Sequence, residues 1–239
     1  MSPIRIVQLY PRDMNLYGDW GNTLALKRRL EWRGFTVEVI DYNVGDALPD
    51  DIDIVVGGGG QDSGQKRVAE DLQRIAPRLQ QLADDGVPML MICGMYQLFG
   101  QRFITKDGAV LPGAGILGVE TRGGDERLIG NIVLESEEFG TIVGYENHSG
   151  QTTLESGVPA LGVVRLGAGN TAAGDTEGAR YRNVIGTYLH GSLLPRNPKI
   201  ADFLIARALE RRDETTDLQP LEIDEVAEQA HTAALQRKR

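Results

Sequence analysis

The sequence predicts an α/β protein: a mostly parallel central sheet flanked by helices, with a β-rich antiparallel segment beside it. Three observations carry this expectation. Short apolar runs alternate with longer amphipathic ones through the first hundred residues, the pattern of βαβ units. Two of those runs, within "DIDIVVGGGG" (51–60) and "VPMLMIC" (87–93), are continuously hydrophobic, as in strands buried on both faces. From about residue 101 the pattern changes to glycine and β-formers with little helical periodicity.

Taken in order, "IRIVQLY" (4–10) reads as the first strand. "NTLALKRRLEWRG" (22–34) reads as a helix, with Asn22 as N-cap, Gly34 as the C′ residue, and Leu24, Leu30 and Trp32 among its buried side chains. "FTVEVIDY" (35–42) alternates as a strand does, and the strand in 51–60 stops abruptly at four glycines. A helix over roughly 65–85 places Val68, Leu72, Ile75, Leu79 and Leu82 at helical spacing. Residues 87–93 form the next strand, followed by a short helix ending near Gly100. The β-rich segment follows, then a buried strand in "VIGTYLHGSLLP" (184–195) and a closing helix in "NPKIADFLIARALERR" (197–212). Residues 1–212 are thus expected to form one domain, and 213–239 a polar, weakly helical or disordered tail.

Composition bounds the function. Of 239 residues, 41% are hydrophobic and 25% charged, enough for a sizeable core. The net charge is −9 with no basic cluster before the last few residues, which argues against nucleic acid or an anionic membrane as partner. No apolar run spans a bilayer and no signal peptide is evident. A single cysteine forms no internal disulfide and fits a reducing compartment, so the expectation is a cytoplasmic protein without a transmembrane segment.

That cysteine, Cys93, sits between an apolar run and a glycine that opens a helix. A strand–turn–helix elbow lifts a nucleophile above the carboxyl edge of a sheet, and the helix amides favour its thiolate. The competing reading is a small buried hydrophobe. The glycines at 57–60 offer backbone amides to an oxyanion, with Gly59 and Gly94 as the candidate donors. Alternatives are a plain tight turn or a phosphate loop, although Gln65 stands where the loop's lysine belongs. His190, near a late strand's end, is the candidate base; His148 lies in the β-rich segment, and His231 in the tail is set aside.

"ICGMYQLFG" resembles the nucleophile motif of class I (triad-type) glutamine amidotransferases in their cobyric acid synthase-like branch, with Met95 replacing that branch's second glycine. "GYENHSG" and "GTYLHG" resemble its two histidine motifs, in the same order. The early "LYPRDMNLYGDWGN" resembles a loop of the GatD family, the glutaminase subunits of lipid II isoglutaminyl synthase. The resemblance implies the class I amidotransferase fold and hydrolysis of L-glutamine through a Cys93 thioester, with His190 as base. It also implies heterodimer formation with a MurT-like Mur-ligase subunit. That subunit would carry ATP and Mg, with no cofactor or metal on this chain, and would amidate the D-glutamate α-carboxyl of the lipid II stem peptide.

Arg127 is the candidate for binding the glutamine α-carboxylate, with Arg122 as rival, and Gln97 either contacts glutamine or buttresses the elbow. One departure stands out. The family's glutamate two residues after the histidine is missing, since Gly191 and Ser192 follow His190. An orienting acid is then expected from the partner, or in cis from Asp19 or Glu146. Rival readings are an amidotransferase for another acceptor such as cobyrinate, a cysteine hydrolase of the DJ-1/PfpI type, and a non-catalytic binding subunit.

Overall fold

A computed structural model describes residues 2–190, 193–214 and 217–237. The core sheet begins with β1 (Ile4–Leu9), β2 (Val37–Tyr42), β3 (Ile54–Gly57) and β4 (Met89–Ile92); α1 (Trp20–Glu31) follows β1, α2 (Asp62–Asp84) follows β3 and α3 (Gly94–Phe99) follows β4. There follow β5 (Arg102–Ile104), β6 (Val110–Pro112), the long hairpin β7 (Val119–Ser136) and β8 (Gly140–Leu154), then β9 (Gly162–Leu166) and β10 (Thr176–Glu177). The chain closes with β11 (Ala179–Tyr181), β12 (Val184–Thr187), α4 (Leu193–Arg196), α5 (Pro198–Glu210) and α6 (Ile223–Leu235).

The first sheet has the order β11-β12-β4-β3-β1-β2, parallel except for β11. The second has the order β10-β9-β7-β5-β6 with β8 paired to β7, and is antiparallel except between β5 and β7. The expected architecture is therefore present. β3 and β4 are wholly buried, as their unbroken apolar runs require. The predicted stripe Val68, Leu72, Ile75, Leu79 and Leu82 faces the core.

Two local expectations change. Asn22 does not cap α1, which starts at Trp20; Asn22 is buried inside the helix and accepts the Leu194 N–H at 3.0 Å. Trp32 is 54% exposed, lying beyond the last turn of α1. Where it is described, the tail carries α6, which buries Ala227 and Ala234, the latter beside Val133 and Val143. Asp224 of α6 accepts a 2.6 Å hydrogen bond from Arg29 of α1, which also donates to Asp202 of α5. Ion pairing, invisible to hydropathy, holds this helix. Gly34 does adopt φ +85°, the left-handed conformation of a C′ glycine.

Candidate active site

Cys93 sits between β4 and α3 with φ 48° and ψ −101°, a conformation sparsely populated by non-glycine residues. Such strain persists only where the surroundings over-determine it. Here the Cys93 N–H donates to Thr187 O on β12 at 2.8 Å, and its carbonyl accepts the Gln97 N–H at 3.0 Å. Cys93 is 8% exposed and opens on a cleft of about 360 Å³. Tyr17, Gly60, Arg127, Asn147, His148 and His190 are among the residues lining it.

β12 ends at Thr187, and the chain then reaches His190, whose N–H donates to Tyr145 O at 2.8 Å. His190 Nδ1 faces Asp19, at 3.3 Å from Oδ1 and 3.2 Å from Oδ2, and both side chains are 1% exposed. Its Nε2 is buried with no hydrogen-bond partner among the described residues, leaving it open for proton exchange. Burial alone would push the imidazolium pKa down. The neighbouring Cys93 sulfur and Asp19 more than offset this, raising it to about 10. A cysteine beside an imidazole that is itself faced by an acid is the arrangement of an activated nucleophile.

Of the two carboxylates proposed in cis, Asp19 faces His190, while Glu146 accepts the Ala168 and Gly169 N–H groups at 2.9 Å each. Gly191 and Ser192, where the family's acid is missing, lie outside the described residues.

The glycines at 57–60 need a different explanation from the one the sequence suggested. The Gly59 N–H donates to Asp19 Oδ2 at 2.7 Å, so this amide is committed to the acid rather than to an oxyanion. A Cβ on Gly59 would lie 2.6 Å from His190 Cε1 and 3.3 Å from Cys93 Cβ. One on Gly58 would meet the Met14 carbonyl, and one on Gly60 the Met14 sulfur. The glycines let the loop of residues 10–19 pack directly on the sheet edge. Gly60 lines the cleft, and a Cβ on Gly94 would lie 2.9 Å from its nitrogen, so the Gly60 backbone packs directly on the elbow.

Gln97 lines the cleft, yet both ends of its amide are engaged. Its Oε1 accepts from Gln65 Nε2 at 2.7 Å, and its Nε2 donates to the Tyr188 hydroxyl at 3.1 Å. Gln65 also donates to Gly94 O at 3.2 Å, so the residue standing in place of a phosphate-loop lysine braces the elbow. These contacts make Gln97 a buttress.

Arg127 reaches the cleft through Nε to Asn147 Oδ1 at 2.7 Å and Nη2 to the Tyr17 hydroxyl at 3.1 Å. Arg122 instead pairs with Glu120 at 2.6 Å. His148 stacks on Tyr188, with centroids 3.5 Å apart, and its Nδ1 bonds Gly150 O at 2.9 Å. Burial drives its pKa down to about 3, so it is neutral at ordinary pH. His231 lies away from the cleft, with Nδ1 bonded to Arg196 O.

Sequence reasoning missed Tyr17 and Asn147. Both lie inside quoted motifs, but neither is a residue type that announces chemistry. Glu177 was also missed; it accepts the Tyr188 N–H at 2.6 Å and the Thr187 hydroxyl at 2.8 Å, anchoring the approach to His190. Burial raises its pKa to about 8. Among the described residues no cluster of His, Cys, Asp or Glu is arranged to hold a metal, and no helix is long and apolar enough to cross a membrane.

Comparison with known proteins fits this geometry. Residues 5–198 match the family of CobB/CobQ-like glutamine amidotransferase domains. The chain is 42% identical to the lipid II isoglutaminyl synthase (glutamine-hydrolyzing) subunit GatD of Staphylococcus aureus, over 95% of this chain and 93% of that one. It is 38% identical to the subunit of the same name from Streptococcus pneumoniae, over 87% and 82%. Among solved structures, PurLQS from Thermotoga maritima superposes with TM-score 0.59 at 17% identity, covering 86% of this chain and 98% of the other. A glutamine amidotransferase of the same organism gives 0.57 at 16%, covering 98% and 94%. These two likenesses concern the fold.

Proposed function

Because this chain belongs to the CobB/CobQ-like glutamine amidotransferase family, we propose that it is the glutamine-hydrolysing subunit of a lipid II isoglutaminyl synthase. The observation that carries the reading is the Cys93–His190–Asp19 constellation at the cleft floor, in a chain similar over nearly its whole length to two such subunits.

In this proposal the Cys93 thiolate attacks the side-chain carboxamide carbon of L-glutamine, forming a C–S bond. The tetrahedral oxyanion is received by backbone amides at the elbow, with Gly60 and Gly94 as the candidate donors. His190 gives its proton to the nitrogen as the C–N bond breaks, releasing ammonia and leaving a γ-glutamyl thioester. His190 then takes a proton from water, which cleaves the thioester to glutamate and restores the thiolate. Asp19 holds the Nδ1 side of the ring so that Nε2 exchanges the proton. Arg127 pairs with the α-carboxylate of glutamine.

Ammonia passes to a MurT-like Mur-ligase subunit, which carries ATP and Mg and amidates the D-glutamate α-carboxyl of the lipid II stem peptide. Support for a partner comes from the relatives, whose names describe subunits. The facing of His190 by Asp19 favours an orienting acid in cis. The deciding experiment measures ammonia release from L-glutamine by the wild type and Cys93→Ala, each with and without that partner. Cysteine-dependent release that rises with the partner is expected; its absence under every condition would return the chain to the hydrolase or binding-subunit readings.

A further inference from the structure

Tyr17 lies in the loop of residues 10–19 with φ +60°, a backbone conformation that non-glycine residues rarely adopt. It is 47% exposed, so burial does not hold it there. Two contacts do. Its ring meets His190 edge-on, with centroids 4.8 Å apart and planes at 67°. Its hydroxyl accepts from the Arg127 guanidinium at 3.1 Å. One side chain therefore touches the base through its ring and the cleft arginine through its oxygen. Asp19, two residues on, bonds Nδ1 of the same imidazole. A surface tyrosine with no role would need neither the strained backbone nor both partners.

The loop itself is anchored independently of Tyr17. Leu16 N–H donates to Gly59 O at 3.0 Å, Met14 is fully buried, and Asp13 pairs with Arg67 at 2.7 Å. Tyr17 is thus presented to the cleft by a fixed frame.

We propose that Tyr17 is a positioning residue that acts at two places: it aligns Arg127 for the α-carboxylate of glutamine, and it packs His190 against the Asp19 side of the site. This rests on the glutaminase reading above. The hydroxyl serves substrate binding and the ring serves proton transfer, so the two parts separate by substitution. Tyr17→Phe keeps the ring and removes the bond to Arg127. Tyr17→Asn removes the ring, and asparagine tolerates the positive φ.

The test uses the chain with its partner subunit, measuring ammonia release against L-glutamine concentration for wild type, Tyr17→Phe, Tyr17→Asn, Arg127→Ala and the Arg127→Ala/Tyr17→Phe double variant. Iodoacetamide alkylation of Cys93 across pH reads the Cys93–His190 pair without glutamine. Tyr17→Phe is expected to raise KM about tenfold, the effect of losing one hydrogen bond to a charged group, with its main effect in KM. In the Arg127→Ala background that increment vanishes. Tyr17→Asn adds a fall in kcat of about tenfold and shifts the alkylation profile along the pH axis. A Tyr17→Phe KM within about twofold of wild type overturns the Arg127 half. A Tyr17→Asn alkylation profile matching wild type overturns the His190 half. If the wild type releases no ammonia, the glutaminase reading fails, and the alkylation profiles still decide whether Tyr17 positions His190.

Discussion

The nucleophile and its base are held in opposite ways. Cys93 sits between β4 and α3, every residue of which is buried, and its own N–H bonds into β12. His190 lies past the end of β12 and meets the second sheet at a β-bridge to Tyr145. Its ring is held by Asp19 and Tyr17, which come from a loop some 171 residues away in sequence. The core therefore fixes the thiol, while contacts between separate segments at the sheet edge fix the imidazole. Damage at the elbow costs folding; damage at the edge costs rate while the fold persists.

The largest test of this contrast is Asp19→Asn. The asparagine keeps the size but removes the anion, so kcat is expected to fall by about 10³–10⁴, as when a triad loses its orienting carboxylate. Loss of one negative neighbour also lowers the His190 pKa from about 10. The alkaline limb of the pH–rate profile then moves to lower pH. A kcat within about tenfold of wild type in the complex would mean that another carboxylate orients His190.

Gly59→Ala comes next. The added methyl would stand 2.6 Å from His190 Cε1 and 3.1 Å from Asp19 Oδ2, so both must move. Misplacement of the base is expected to lower kcat about 10²-fold, with a far-ultraviolet circular dichroism spectrum like that of the wild type. A kcat loss matched by lost helicity would erase the distinction between edge and core.

The smallest effect concerns His148 and stability in acid. Its folded pKa of about 3 lies below the ordinary histidine value near 6.5. Between these values the unfolded chain binds a proton that the folded protein refuses. Stability then falls with acidification by up to about 1.4 kcal/mol per pH unit. His148→Phe, which keeps a ring against Tyr188, should flatten urea-unfolding stability between about pH 6 and 4. Equal slopes in the two proteins would show that the carboxylates alone govern acid unfolding.

Sequence order made the first half legible and the edge opaque. β3 and β4 announce themselves through unbroken apolar runs, and the elbow through Cys93-Gly94 after such a run. The 57–60 glycines were visible, but their purpose was not: it depends on Met14 and His190 arriving from elsewhere. Asp19 stood level with Glu146 and with an acid from the partner, because nothing local distinguishes an acid that faces a distant histidine from one that gathers backbone amides. Asn22 misled because an asparagine near a helix start usually caps it. Here its side chain instead reaches Leu194, 172 residues on.

The Arg29 clamp carries a consequence for how the molecule is made. Arg29 is 5% exposed, and the anions it bonds, Asp202 and Asp224, lie 173 and 195 residues further along the chain. During synthesis α1 leaves the ribosome long before either carboxylate exists. A nascent chain thus cannot seat this guanidinium without leaving a charge uncompensated. Full seating of α1 therefore waits on residues 202 and 224, and a chain lacking them would hold Arg29 without its two anions.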